Sequence, residues 1–189
     1  MKTGKFGTLR APGLQQVFNL QQPRRLVTMI QLAKGNFMIR EIRENELDAL
    51  LSLYLHLHET TVPEMTEHLA QTWETIVHDQ NHHIIVNEID GEIVSSCVCV
   101  IIPNLTRGVR PYAFLENVVT HADFRGHGYA TACLAYAREI AVKENCYKMM
   151  LLTGAKNEET LRFYERAGFN STDKTAFVQW LRNEKTGEE

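Results

Sequence analysis

The stretch ENVVTHADFRGHGYATACL at residues 116–134 decides the fold. Its first half continues a run rich in β-branched and aromatic residues from Ala113 to Thr120, which reads as a strand. Its second half opens a series of apolar positions at Ala130, Cys133, Leu134, Ala137, Ile140 and Ala141, which is helical spacing. Between the two, RGHGYA at 125–130 is a glycine-bearing turn at a helix N-terminus. The first N–H groups of a helix have no carbonyl to bind and converge on one point, which suits a phosphate. Gly126 and Gly128 remove side chains that would block close approach, and Arg125 adds a cation beside the same point. The turn lacks the third glycine of a dinucleotide GxGxxG and the Lys-Ser/Thr pair of a P-loop, which disfavours a Rossmann nucleotide site. Taken alone, it is equally an ordinary strand–helix connection.

Working outward, the chain alternates strands and helices from Phe37 onward. Phe37–Arg43 reads as a strand, and a helix follows from about Glu44 with Leu47, Leu50, Leu51, Tyr54 and Leu57 on one side. Pro63 suits the first turn of a second helix carrying Met65, Leu69, Trp73, Ile76 and Val77. His83–Ile89 and Ile93–Ile102 are β-branched runs joined by Asp90-Gly91, a two-residue hairpin signal. A polar loop, PNLTRGVRPY at 103–112, leads back to the central strand. Beyond the central helix come a strand at Lys148–Thr153, a helix over about Glu158–Ala167 stopped by Gly168, and a last strand near Ala176–Leu181. The sum is an α/β (α+β) fold, a mixed sheet with helices on both faces.

A length of 189 residues with 44% hydrophobic content suits a domain that can bury a core without metal or disulfide staples. The cysteines, Cys97, Cys99, Cys133 and Cys146, lack the CxxC spacing of a zinc or redox site and read as reduced, buried thiols. His56/His58 and His82/His83 do not form HExxH, and adjacent strand histidines point to opposite faces, so no metal is expected. No apolar run approaches the ~20 residues of a membrane span, and the N-terminus has no secretory apolar core. A cytoplasmic protein without membrane or nucleic-acid partners is the expectation. Residues 1–35 hold Lys2, Lys5, Arg10, Arg24, Arg25 and Lys34 and no acidic residue, so they carry +6 against −9 in residues 36–189. This basic segment reads as an extension of a domain at 36–189, as an Arg-bearing targeting segment, or as sequence upstream of a native start at Met29 or Met38.

The motifs together carry a resemblance. ENVVTHADFRGHGYATACL resembles the central motif of the GNAT superfamily of N-acetyltransferases, in which a strand precedes an RxxGxA turn, here Arg125 to Ala130. NEETLRFYERAGF at 157–169 resembles its downstream NxxxxxFYxxxGF. The resemblance covers about residues 37–181, and CYKMMLLTG with FYERAGF is similar to bacterial-type small-molecule acetyltransferases, including enzymes that acetylate glucosamine phosphate.

That resemblance implies a mostly antiparallel GNAT sheet with a gap in which the pantetheine arm of acetyl-CoA lies like an added strand, held by main-chain groups of Val118, Val119 and Thr120. It implies a pyrophosphate on the turn of Arg125, Gly126, His127, Gly128, Tyr129, Ala130 and Thr131, with Asn157 facing the pantetheine or acetyl region. Tyr164 matches the superfamily's proton-donating tyrosine, its alternative role being core packing. An N–H such as that of Val118 would polarise the acetyl carbonyl. Glu116 is a candidate base, its alternative a solvated strand carboxylate. Some members carry a base five residues before the Asn, where this chain has Leu152. His121 is a second candidate by chemistry, or simply an exposed loop residue. Acetyl-CoA is thus the expected co-substrate and a small-molecule amine the expected acceptor. Peptide or protein acetylation and a silent CoA-binding module are the alternatives, and homodimerisation is left open. Arg107, Arg110 and Tyr112 suit an anionic acceptor or, equally, a solvated loop, whereas the −9 charge of residues 36–189 favours a cationic acceptor.

Overall fold

The computed structural model describes residues 28–31, 36–57 and 59–181. The chain forms two compact units, Met1–Leu151 and Leu152–Glu189. The first holds a six-stranded sheet of β1 (Thr28–Gln31), β2 (Asn36–Glu41), β3 (His82–Ile89), β4 (Glu92–Ile102), β5 (Tyr112–Thr120) and β6 (Met149–Leu151), in that spatial order. Every neighbour pair is antiparallel except β5 and β6. Tight turns can return a chain antiparallel, but a parallel neighbour needs a crossover. Here the crossover is the long helix α3 (Tyr129–Lys143). Within the span read as an extension, residues 28–31 supply β1; residues 1–27 and 32–35 lie outside the described residues.

The β3–β4 hairpin turns on Asp90 and Gly91, both with positive φ (49° and 91°), the geometry that makes Asp-Gly a hairpin signal. Strand alternation gives the sheet two buried faces. On one, α1 (Leu47–Tyr54) buries Leu50 and Leu53 against Ile84, Val86, Val98 and Val119. On the other, α3 buries Cys133, Leu134, Tyr136, Ala137, Ile140 and Ala141. Cys97, Cys99 and Cys133 are buried free thiols whose pKa burial drives up, to about 12 for Cys99 and Cys133.

Two helix starts differ from the sequence reading. Glu44–Glu46 is a 3-10 turn, and α1 proper begins at Leu47, because the Glu46 carboxylate folds back onto the Arg43 N–H (2.7 Å) as a cap. The second helix, α2 (Glu67–His78), begins four residues beyond Pro63, because the Thr66 hydroxyl accepts from the Leu69 N–H at 3.2 Å and defines the N-cap there.

Sequence patterning also conceals a buried cation. Arg40 on β2 is 4% exposed and ion-paired to Glu46 at 2.6 Å and Glu88 at 2.5 Å. Burial opposes its charge, but hydrogen bonds to the two carboxylates outweigh that and raise its pKa. Burial likewise opposes the Glu46 charge, yet Arg40 and the Arg43 N–H hold its pKa below 4.5. Removing the cation strands two partly buried carboxylates, so Arg40→Met is expected to cost about 3 kcal/mol of unfolding free energy. The Glu46 contribution is present above its unfolded pKa and lost as pH falls through its lowered folded value. Urea titrations should therefore show wild-type stability falling below pH 4.5, and a flatter acid limb for Arg40→Met.

The second unit contains α4 (Glu158–Arg166), capped by Asn157 and followed by Gly168 at φ 92°. Residues 176–181 form no strand, contrary to the sequence expectation. A strand exists only through ladder partners, and the described part of Leu152–Glu189 contains no other strand to supply them.

Candidate functional site

The site begins where β5 loses its neighbours. On the β6 side it is paired only at Ala113, Phe114 and Leu115. On the β4 side the register runs Val98 to Glu116 and then Ser96 to Val119, so Asn117 and Val118 together stand opposite Cys97 as a bulge. Asn117 takes φ 50°. After the bulge, the His121 N–H returns to the Val94 carbonyl (2.8 Å). By strand alternation, Val118 and Thr120 then turn their main-chain groups to the side β6 has vacated. Val119 differs: its side chain is core and its carbonyl accepts from the Ser95 hydroxyl at 2.7 Å. Among the described residues β5 has no ladder partner on that side beyond Leu115, and unpaired strand groups of this kind can take up an extended, amide-bearing ligand.

The glycine turn follows β5 and precedes α3. Gly126 and Gly128 have φ 78° and 85°, and Gly128 is the N-cap of α3 without any side-chain cap. The first N–H groups of Tyr129, Ala130 and Thr131 therefore have neither an i−4 carbonyl nor a capping oxygen. Arg125 is committed to the backbone: Nε donates to the Thr120 carbonyl and Nη2 to the His56 carbonyl, both at 3.2 Å. It thereby ties the end of β5 to the segment after α1. His127 donates from Nδ1 to the Arg125 carbonyl (2.8 Å) and stacks on Tyr129, which in turn stacks on Phe37. His121 is engaged in the same turn, Nδ1 accepting from the Asp123 N–H at 3.3 Å, with its ring centroid 4.0 Å from that of His56. His58 lies outside the described residues.

Glu116 lies just before the bulge, exposed. Tyr164 and Asn157 belong to the second unit. Asn157 Oδ1 accepts from the Thr160 N–H (2.8 Å) as the α4 cap. Tyr164 is half-buried, edge-on to Phe169 at 6.1 Å and close to Phe163.

Several residues escape pattern reading. Asn87 on β3 is fully buried, and its amide donates to the Tyr129 carbonyl at 3.4 Å, joining the sheet to the first turn of α3. Ser95 is fully buried and also meets the Thr120 hydroxyl at 2.8 Å. A polar residue interrupting an apolar strand is the available signal for both. Arg110, suited by sequence to an anionic acceptor, is instead spent on the carbonyls of Asn145 (3.1 Å) and Cys146 (2.9 Å) after α3. Tyr112 packs edge-on against Tyr147, with Lys148 Nζ over its ring at 5.0 Å. Among the described residues no three His, Cys, Asp or Glu side chains are grouped as a metal ion would require, and no helix is long and apolar enough to cross a membrane.

Comparison with known proteins places the chain in one family. The sequence profile of the acetyltransferase (GNAT) family matches residues 47–169. Glucosamine 6-phosphate N-acetyltransferase of Trypanosoma brucei brucei is 28% identical over 145 residues, 72% of this chain and 90% of that protein. Aminoglycoside N(6')-acetyltransferase type 1 of Serratia marcescens is 26% identical over 137 residues, 71% of this chain and 92% of the other. A solved chain from Agrobacterium tumefaciens str. C58 superposes with a TM-score of 0.70 at 34% identity, covering 75% of this chain and 99% of that one.

Proposed function

The chain belongs to the GNAT acetyltransferase family, and from that premise we propose that it moves the acetyl group of acetyl-CoA directly onto a primary amine of a small molecule. The observation that carries the donor half is the open side of β5 beyond Leu115, continuous with the uncapped N-terminus of α3. Main-chain groups of Val118 and Thr120 bind the pantetheine amides as a neighbouring strand would. The N–H groups from Gly126 to Thr131 hold the pyrophosphate, and Arg125 shapes that seat through the Thr120 and His56 carbonyls.

Transfer requires a neutral amine, a polarised thioester carbonyl and a proton for the departing thiolate. The Val118 N–H supplies the polarisation, Glu116 removes the amine proton directly or through water, and Tyr164 protonates sulfur. Nitrogen attacks carbon, the C–S bond breaks, and no covalent enzyme intermediate forms. The catalytic domain spans residues 36–189 in this reading. Two of the curated relatives are named for amino-sugar acceptors, one a glucosamine phosphate and one an aminoglycoside, and each aligns over about 70% of this chain, which supports a small amine of that kind.

The test is thiol release from acetyl-CoA across glucosamine 6-phosphate, kanamycin and peptides with free N-termini, with products weighed by mass spectrometry. Release dependent on an amino sugar is expected. Turnover of peptides alone would move the acceptor to proteins. Tight CoA binding with no acceptor turned over would leave a regulatory CoA-binding module.

A further inference from the structure

β4 carries two adjacent serines, Ser95 and Ser96, in a strand otherwise apolar from Ile93 to Ile102, and both are fully buried. A buried hydroxyl costs stability unless it is hydrogen-bonded. The two side chains differ in that respect: Ser96 Oγ has no partner among the described residues, whereas Ser95 Oγ is engaged twice. Ser95 donates its one proton to the Val119 carbonyl at 2.7 Å, so in the contact with Thr120 Oγ1 at 2.8 Å it is Thr120 that donates. Both contacts lie beyond the bulge, where the ladder to β4 has only the Ser96–Val119 and Ser95–Thr120 pairs left.

A trans peptide is planar, with its C=O and N–H pointing in opposite directions. Holding the Val119 carbonyl toward β4 therefore holds the Thr120 N–H away from β4, on the side where β5 has no ladder partner among the described residues beyond Leu115. The ladder agrees, since the next N–H, that of His121, goes to the Val94 carbonyl on β4. Arg125 Nε already occupies the Thr120 carbonyl, which leaves the N–H as the main-chain group Thr120 has to offer a ligand.

We propose that Ser95 is a positioning residue for the donor, its hydroxyl fixing the 119–120 peptide so that the Thr120 N–H meets a pantetheine carbonyl of acetyl-CoA. This rests on the donor site proposed above. Ser95 is fully buried and does not touch the ligand; it acts through the peptide it holds.

The test is calorimetric titration of the full-length protein with acetyl-CoA and, separately, with 3′-phospho-ADP, the portion of CoA that keeps the pyrophosphate and lacks pantetheine. Ser95→Ala is expected to bind acetyl-CoA about fivefold more weakly, the scale of one net hydrogen bond, and to bind 3′-phospho-ADP as wild type does. Ser96→Ala removes a hydroxyl without a partner and is expected to change neither affinity. The double variant Ser95→Ala/Thr120→Val also removes the hydroxyl that Ser95→Ala leaves without its acceptor, and is expected to fold and to show the same selective loss. Unchanged acetyl-CoA affinity in Ser95→Ala would overturn the proposal while leaving the donor site intact. An equal loss in Ser96→Ala would also overturn it. Weakening of both ligands together with a lower melting temperature, in the single and the double variant alike, would overturn it in favour of simple packing. Wild type that binds 3′-phospho-ADP as tightly as acetyl-CoA, or binds neither, would overturn the donor reading and this proposal with it.

Discussion

Replacing Gly126 and Gly128 together by aspartate is expected to weaken CoA binding by about a hundredfold, or about 3 kcal/mol. Neither substitution meets a steric wall, since the space around an added Cβ is open at both positions. The loss arises from two other sources. Both residues hold positive φ, at 78° and 85°, which costs a residue with a Cβ roughly 1 kcal/mol each. Two carboxylates would also stand where the pyrophosphate is to be received, and like charges repel. Asparagine tolerates the left-handed region better and carries no charge, so a Gly126→Asn/Gly128→Asn protein should fall between wild type and the aspartate variant. Calorimetric titration with CoA measures the loss, and thermal melting separates it from unfolding. Unchanged affinity in the aspartate variant would place the pyrophosphate elsewhere.

The second large effect is expected at Tyr164. A positioned general acid contributes on the order of 10²–10⁴ to rate. Tyr164→Phe should therefore lose about a hundredfold or more in kcat while binding acetyl-CoA normally. The substitution keeps the ring that lies edge-on to Phe169, so helix α4 should be undisturbed. Full turnover at every pH would reduce Tyr164 to a packing residue.

What was legible in the sequence was local. The Asp90-Gly91 turn, the β-branched run ending at Thr120, the glycine turn and the helix stopped at Gly168 each carry their signal within a few residues. The strand–turn–helix unit could therefore be placed, and with it most of the candidate donor site. What was not legible depends on partners distant in sequence. Arg40 sits on a strand whose alternation looks ordinary, and only Glu46 and Glu88 explain its burial. Asn87 acquires meaning from Tyr129. Arg110 looked free for an anionic acceptor because the carbonyls it binds, at Asn145 and Cys146, end a helix more than thirty residues away. The residues at 176–181 alternate like a strand, but alternation supplies no ladder partner.

Where acetyl-CoA lies can be read directly by amide hydrogen exchange on the full-length protein, with and without saturating acetyl-CoA. Exchange is expected to slow at residues 118–131, along the open side of β5 and the first turn of α3, and to stay unchanged in the β1–β2 pair on the far edge of the sheet. Unchanged exchange at 118–131, or protection confined to other segments, would contradict the donor site on which the proposed acetyl transfer depends.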